Sequence, residues 1–184
     1  MSDDLAPLLP RVGKGDKTAL ATLYRALETP LYRFIRSRLN DPHEAADLLH
    51  DVFIEVWRSA DRFEGRSQVK TWVFGIAYRK VIDSFRKSGR VDLPGEVPEQ
   101  IDETADAEAC VLAVQEAAHV RHCMDQLGTD HRAAVALAFY EDMSYSQIAE
   151  VVDAPEGTIK TRVYHAKKLL MRCLSGLIDR GAPA

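Results

Sequence analysis

Long hydrophobic runs are missing from this 184-residue sequence: nowhere do apolar residues continue for the roughly 18 positions a membrane-crossing helix demands, so no membrane insertion is expected. The opening residues, MSDDLAPLLPRVGKGD, begin with acids and hold no basic stretch ahead of an apolar run. A secretory leader is therefore not expected, and a cytoplasmic setting is. Cysteine is scarce as well. Cys110, Cys123 and Cys173 are odd in number, widely spaced and without a CxxC pair, which argues against a disulfide framework or a cysteine-built zinc site and for buried or inert thiols. His119, His122 and Cys123 form the one grouping with metal-ligand character, but no fourth ligand accompanies it, so neither metal nor cofactor is expected. Strand-like alternation and internal repeats are also absent.

What is present reads as a soluble globular chain, 46% apolar and 28% charged. Its formal net charge of −4 looks wrong for a partner made of phosphates until it is divided along the sequence. Residues 60–90 carry eight bases against three acids, and residues 156–184 six against two. Between them residues 91–113 hold seven acids and no base, and residues 114–155 seven acids and two bases. Two local basic surfaces are thus hidden in an acidic total, and the local field governs phosphate binding. The stretch from Val91 to Glu108, rich in acids and turn formers, has linker composition. It divides the chain into residues 1–90, a linker over 91–113, and residues 114–184.

Both parts read as helical, so the expected fold class is all-α, two small helical domains joined by a flexible acidic linker. Leu20, Leu23, Tyr24, Leu27, Leu31, Phe34, Ile35 and Leu39 recur at three- and four-residue intervals, with Pro30 suggesting an interruption. Asp41, Pro42 and Glu44 announce a long helix to about Arg62. Its core stripe is Ala45, Leu49, Val52, Phe53, Val56 and Ala60; a second stripe of His50, Ile54 and Trp57, bordered by Asp47, Asp51 and Arg58, suits either a partner or a further packed helix. The loop FEGRSQVK then leads into a helix on which Trp72, Arg79 and Arg86 align, a stacking surface beside cations that suits a DNA strand, although a core tryptophan with solvated arginines would look the same.

Residues Met143 to Leu170 carry the strongest signal. Ser144 and Gln147 make a capping-box pattern, Asp153 to Pro155 stop the short helix, and a second helix restarts at Glu156. At about 100° per residue, Ile159, Val163, Ala166 and Leu170 form its buried stripe. Gly157, Thr158, Thr161, Tyr164, His165 and Lys168 lie opposite, flanked by Lys160, Arg162 and Lys167. Hydroxyls, imidazole and amines toward base edges, with cations toward phosphates, are the chemistry of a helix-turn-helix in a DNA major groove.

These segments together resemble the extracytoplasmic-function sigma factors of bacterial RNA polymerase, members of the sigma-70 family. LYRFIRSRLNDPHEAADLLHDVFIEVWRSADRFEGRSQVKTWVFGIAYRKVIDSFRK is similar to the family's region 2, and LGTDHRAAVALAFYEDMSYSQIAEVVDAPEGTIKTRVYHAKKLL to its region 4. The resemblance implies a non-enzymatic promoter-specificity subunit in the cytoplasm, binding core polymerase through the β′ coiled coil and the β flap. It further implies promoter DNA as a ligand, a cognate anti-sigma factor, a role in a stress or envelope response, and no small-molecule substrate. On this sequence the −35 contacts would be Gly157, Thr158, Lys160, Thr161, Arg162, His165 and Lys168. The −10 element would meet Arg66, Ser67, Gln68, Lys70, Thr71, Trp72 and Arg79, and core polymerase would meet Asp47, Leu48, His50, Asp51, Ile54 and Trp57. Trp72 is followed by Val73 where primary sigma factors carry a second tryptophan, which implies weaker melting and stricter promoter choice. A stand-alone helix-turn-helix regulator is the alternative, and it would require a dimer because one recognition helix reads few base pairs.

Overall fold

A computed structural model of the chain describes residues 4–39, 41–88 and 118–181, and these are helical with no strand among them. The acidic stretch from Val91 to Glu108, both linker boundaries and Cys110 lie outside the described residues. α1 (Leu8–Gly13) is a short lead-in to α2 (Lys17–Arg36). Asp16 caps α2 by accepting hydrogen bonds from the backbone N–H groups of Thr18 (2.9 Å) and Ala19 (3.1 Å). The Ala19 N–H and the Arg11 guanidinium hold the Asp16 carboxyl below its ordinary pKa. A depressed folded-state pKa means stability that is present at neutral pH and lost as pH falls below about 4. The acid slope of thermal stability should therefore flatten in Asp16→Ala, as read by circular dichroism across that range.

Pro30 does not interrupt α2, which runs unbroken from Lys17 to Arg36. The expected break fails on energy: one lost backbone hydrogen bond costs about 3 kcal/mol, whereas burying Leu31, Phe34 and Ile35 beyond it contributes roughly 1.5–3 kcal/mol each. α3 (Pro42–Ser59) starts at Asp41, which accepts from the His43 N–H at 2.8 Å, and runs into a single 3-10 turn at Ala60–Arg62. Its expected core stripe is buried throughout. Ser84 of α4 (Val69–Ser88) donates to the Glu44 carboxylate at 2.8 Å, tying α3 to α4. α1 to α4 pack on one another around Leu23, Leu31, Ile35, Val52, Val56 and Phe74.

The second half comprises α5 (helical residues 118–125), α6 (Thr129–Phe139), α7 (Tyr145–Val152) and α8 (Glu156–Gly181). α8 continues well past Leu170, where the sequence pattern placed its end. A tether explains the extension: Cys173 is bonded to Cys123 of α5, with Cα atoms 5.7 Å apart. The expectation of unpaired cysteines is thus overturned, because two helices remote in sequence lie side by side. Met124, Leu127, Val135 and Ala166 form a small core next to that bond.

The two halves share a core. α7 packs on α4 and α6 touches α2, so that Ile148, Val151 and Ile159 belong to the same apolar cluster as Phe74 and Ala77. Polar ties reinforce the seam. Arg38 donates to the Thr129 carbonyl and Arg132 to the Ser37 carbonyl, each at 3.1 Å.

Candidate nucleic-acid interface

The turn between α7 and α8 forms as its residues dictate. Ser144 Oγ accepts from the Gln147 N–H (3.3 Å), while Gln147 Oε1 accepts from the Ser144 N–H (2.8 Å), completing the capping box. Asp153 ends α7 in the left-handed region at φ +51°, and α8 starts immediately after Pro155. Ile159, Val163 and Ala166 are buried, which turns Gly157, Thr158, Lys160, Thr161, His165 and Lys168 outward; all six are exposed. Lys160 pairs with Glu156 at 2.8 Å, and the hydrogen bond its ammonium donates to that carboxylate raises the lysine's pKa.

Arg162 departs from this set. It is half-buried and its guanidinium is hydrogen-bonded to the Asp130 carboxylate of α6. In this conformation it fastens the recognition helix to α6 rather than reaching outward. Tyr164, 63% exposed and packed edge-on to His165, stands on the outward face and was not among the expected contacts. The helical winding places it there.

The residues expected at a −10 element divide into two groups. Trp72 and Arg79 line an open groove between α3 and α4 together with Glu55, Ser59, Arg62, Ile76, Lys80 and Asp83. Trp72 is half-buried with its ring 5.2 Å from that of Phe63, so it is both packed and accessible. Val73 beside it is wholly buried, so the position next to Trp72 belongs to the core. Arg66, on the loop, is exposed and paired with Glu64 at 2.5 Å, and Ser67 is half-buried. Gln68 and Lys70 reach toward the second half instead. Lys70 Nζ lies 2.8 Å from the Glu141 carboxylate and 3.0 Å from its carbonyl, and Gln68 accepts from Gln147 at 2.8 Å. Thr71 is 2% exposed and its hydroxyl finds no hydrogen-bond partner.

On α3, Asp47, His50 and Asp51 are exposed and Ile54 is half-buried, leaving an acid-edged apolar strip open. Trp57 is half-buried and packs against the main core. Leu48 is largely buried at 7% exposure, and with Asp47 and Asp51 it lines an open groove between α3 and α4. The His119, His122 and Cys123 grouping has no free thiolate to offer a metal, since Cys123 is in the disulfide and His122 is hydrogen-bonded to Gln126 at 2.8 Å. Among the described residues no helix is long and apolar enough to cross a membrane.

Two segments of the chain match known families. Residues 23–91 match the family model for sigma-70 region 2, and residues 118–170 that for sigma-70 region 4. The ECF RNA polymerase sigma factor SigK of Mycobacterium sp. (strain JLS) is 30% identical over 181 residues, covering 95% of this chain and 92% of that protein. Among solved structures, CnrH in complex with the cytosolic domain of CnrY superposes with a TM-score of 0.70 at 21% identity, covering 98% of this chain and 100% of that one. The sigma factor RpoE bound to the anti-sigma factor NepR from Bartonella quintana gives 0.65 at 24% identity, covering 84% and 97%. At these identities the structures establish likeness of fold.

Proposed function

Because the chain belongs to the extracytoplasmic-function group of the sigma-70 family, we propose that it acts in the cytoplasm as a dissociable promoter-specificity subunit, without a catalytic centre of its own. It binds core polymerase, presents α8 to a −35 major groove, and offers the Arg66–Arg79 segment to a melted −10 strand. The observation that carries this reading is the outward face of α8: six polar or small residues in the expected register, on a helix anchored by the buried Ile159 and Val163 and preceded by the capped α7. A flipped base costs a few kcal/mol, which the groove holding Trp72 and Arg79 can offset by stacking and cation contacts. The open strip of Asp47, His50, Asp51 and Ile54 suits the β′ coiled coil, and an anti-sigma factor covering the surfaces of both halves would silence the protein.

Added to purified core polymerase, the protein should produce initiation at a −35/−10 promoter that core alone ignores; absence of any complex with core would refute the proposal. Within that assay, Lys168→Ala is expected to weaken promoter binding across sequences and to lower the log–log salt slope by about 1. An unchanged slope would remove Lys168 from the DNA contacts. Arg162→Ala is a poorer probe, because it also breaks the tie to Asp130.

A further inference from the structure

A cavity of about 180 Å³ lies between α2 of the first half and α5 and α6 of the second. α2 supplies Arg33 and Phe34 to its wall, α5 supplies Met124, and α6 supplies Ala136 together with its C-cap residue Tyr140. None of these belongs to the outward face of α8, the Trp72 groove or the open strip of α3. Phe34, Met124 and Ala136 are buried, so the interior is apolar and would strip water from a bare inorganic anion without replacing it. An aromatic guest suits it better. Phe34 and Tyr140 offer ring contacts, and the Met124 thioether is polarisable and favours an aromatic neighbour. An apolar cavity of about 150 Å³ accommodates one benzene molecule, so the space here holds a single six-membered ring with a short substituent.

The charges around the cavity are unevenly matched. Arg132 lies against Asp125, and Lys70 against Glu141, so both acids of the wall already face cations of the protein. Arg33 and Arg121 line the cavity as well, and Arg33, exposed in the last turn of α2, has no ion pair among the described residues. An apolar interior beside a surplus of guanidinium is complementary to a ring bearing one negative charge. A planar guanidinium takes a carboxylate through two parallel hydrogen bonds, which a point anion does not match. We propose that the cavity binds a monocyclic aromatic carboxylate, with the ring enclosed by Phe34, Met124 and Ala136 and the carboxylate on Arg33. Such a ligand touches α2 on one side and α5 and α6 on the other. Its binding is therefore linked to the packing of these helices, which it reinforces by mass action.

The test uses the full chain with benzoate as the probe, read by titration calorimetry and by nuclear Overhauser effects from the ring protons to methyl groups of the protein. Benzoate should bind with a Kd on the order of 1 mM or below, the range open to so small a ligand, and its ring should contact the Met124 and Ala136 methyls. Benzyl alcohol keeps the ring without the charge, and acetate the charge without the ring. Each should bind roughly tenfold more weakly, since a charged hydrogen bond or a buried ring contributes at least that factor. Arg33→Gln, at an exposed position, should weaken benzoate by about the same factor. Ala136→Leu fills the cavity and should abolish binding; circular dichroism checks that it folds, and Arg33→Gln decides the matter if it does not. Absence of benzoate binding to the wild type would overturn the proposal, as would ring contacts to methyls elsewhere. Undiminished affinity in Arg33→Gln, or benzyl alcohol binding as tightly as benzoate, would overturn it too, because the carboxylate would then go unrecognised.

Discussion

Replacement of Arg132 by alanine is expected to lower stability by about 3–5 kcal/mol, the range for breaking a buried, hydrogen-bonded charge cluster. Arg132 sits in the first turn of α6 and is 6% exposed. Its guanidinium donates to the carbonyls of Ser37 (3.1 Å), Asp125 (2.6 Å) and Leu127 (3.2 Å), and lies 3.4 Å from the Asp125 carboxylate. One side chain thus ties the end of α2 to the end of α5. Alanine would leave these carbonyls and a carboxylate to find water or remain unsatisfied, each at about 1–3 kcal/mol. Lysine keeps the charge but not the forked geometry, so Arg132→Lys should recover only part of the loss. Urea unfolding monitored by circular dichroism reads both. A loss below about 1 kcal/mol for the alanine variant would mean that solvent already screens the cluster, as it does at exposed pairs.

Reduction of the Cys123–Cys173 bond, or Cys123→Ser, should cost the second half up to about 4 kcal/mol. That figure comes from loop closure: the bridge joins residues 50 apart in sequence and encloses α6, α7 and most of α8. Cross-linking them removes unfolded conformations that the reduced chain regains. Scanning calorimetry on protein prepared with and without reductant should show the transition of the reduced chain at a lower temperature. Superimposable traces would show that the packing of α5 on α8 needs no covalent help. Cytosolic thiol buffers oppose such bonds, so both forms have to be prepared deliberately.

The Arg162–Asp130 pair illustrates how far a single helix can be read alone. Helical winding correctly turned Ile159, Val163 and Ala166 inward and Thr158, Thr161, His165 and Lys168 outward. Winding places a residue at an angle but does not say what stands at that angle, and for Arg162 it is the carboxylate of another helix. The burial of Leu48 and Thr71 is likewise decided only in the assembled bundle.

Local rules therefore account for much of this protein: the helices, the Ser144–Gln147 capping box, the stop at Asp153, the restart after Pro155 and the two basic segments all follow from residues a few positions apart. Hydrogen-bonding caps and side-chain periodicity act within one or two turns, so a linear pattern contains them. Three features needed the tertiary structure: α2 running through Pro30, the disulfide, and the seam that sets Glu141 on Lys70. Each depends on contacts between segments far apart in sequence. The energy of such contacts is packing and charge pairing in a shared, partly dry interior, and no local pattern records which distant residues will share it.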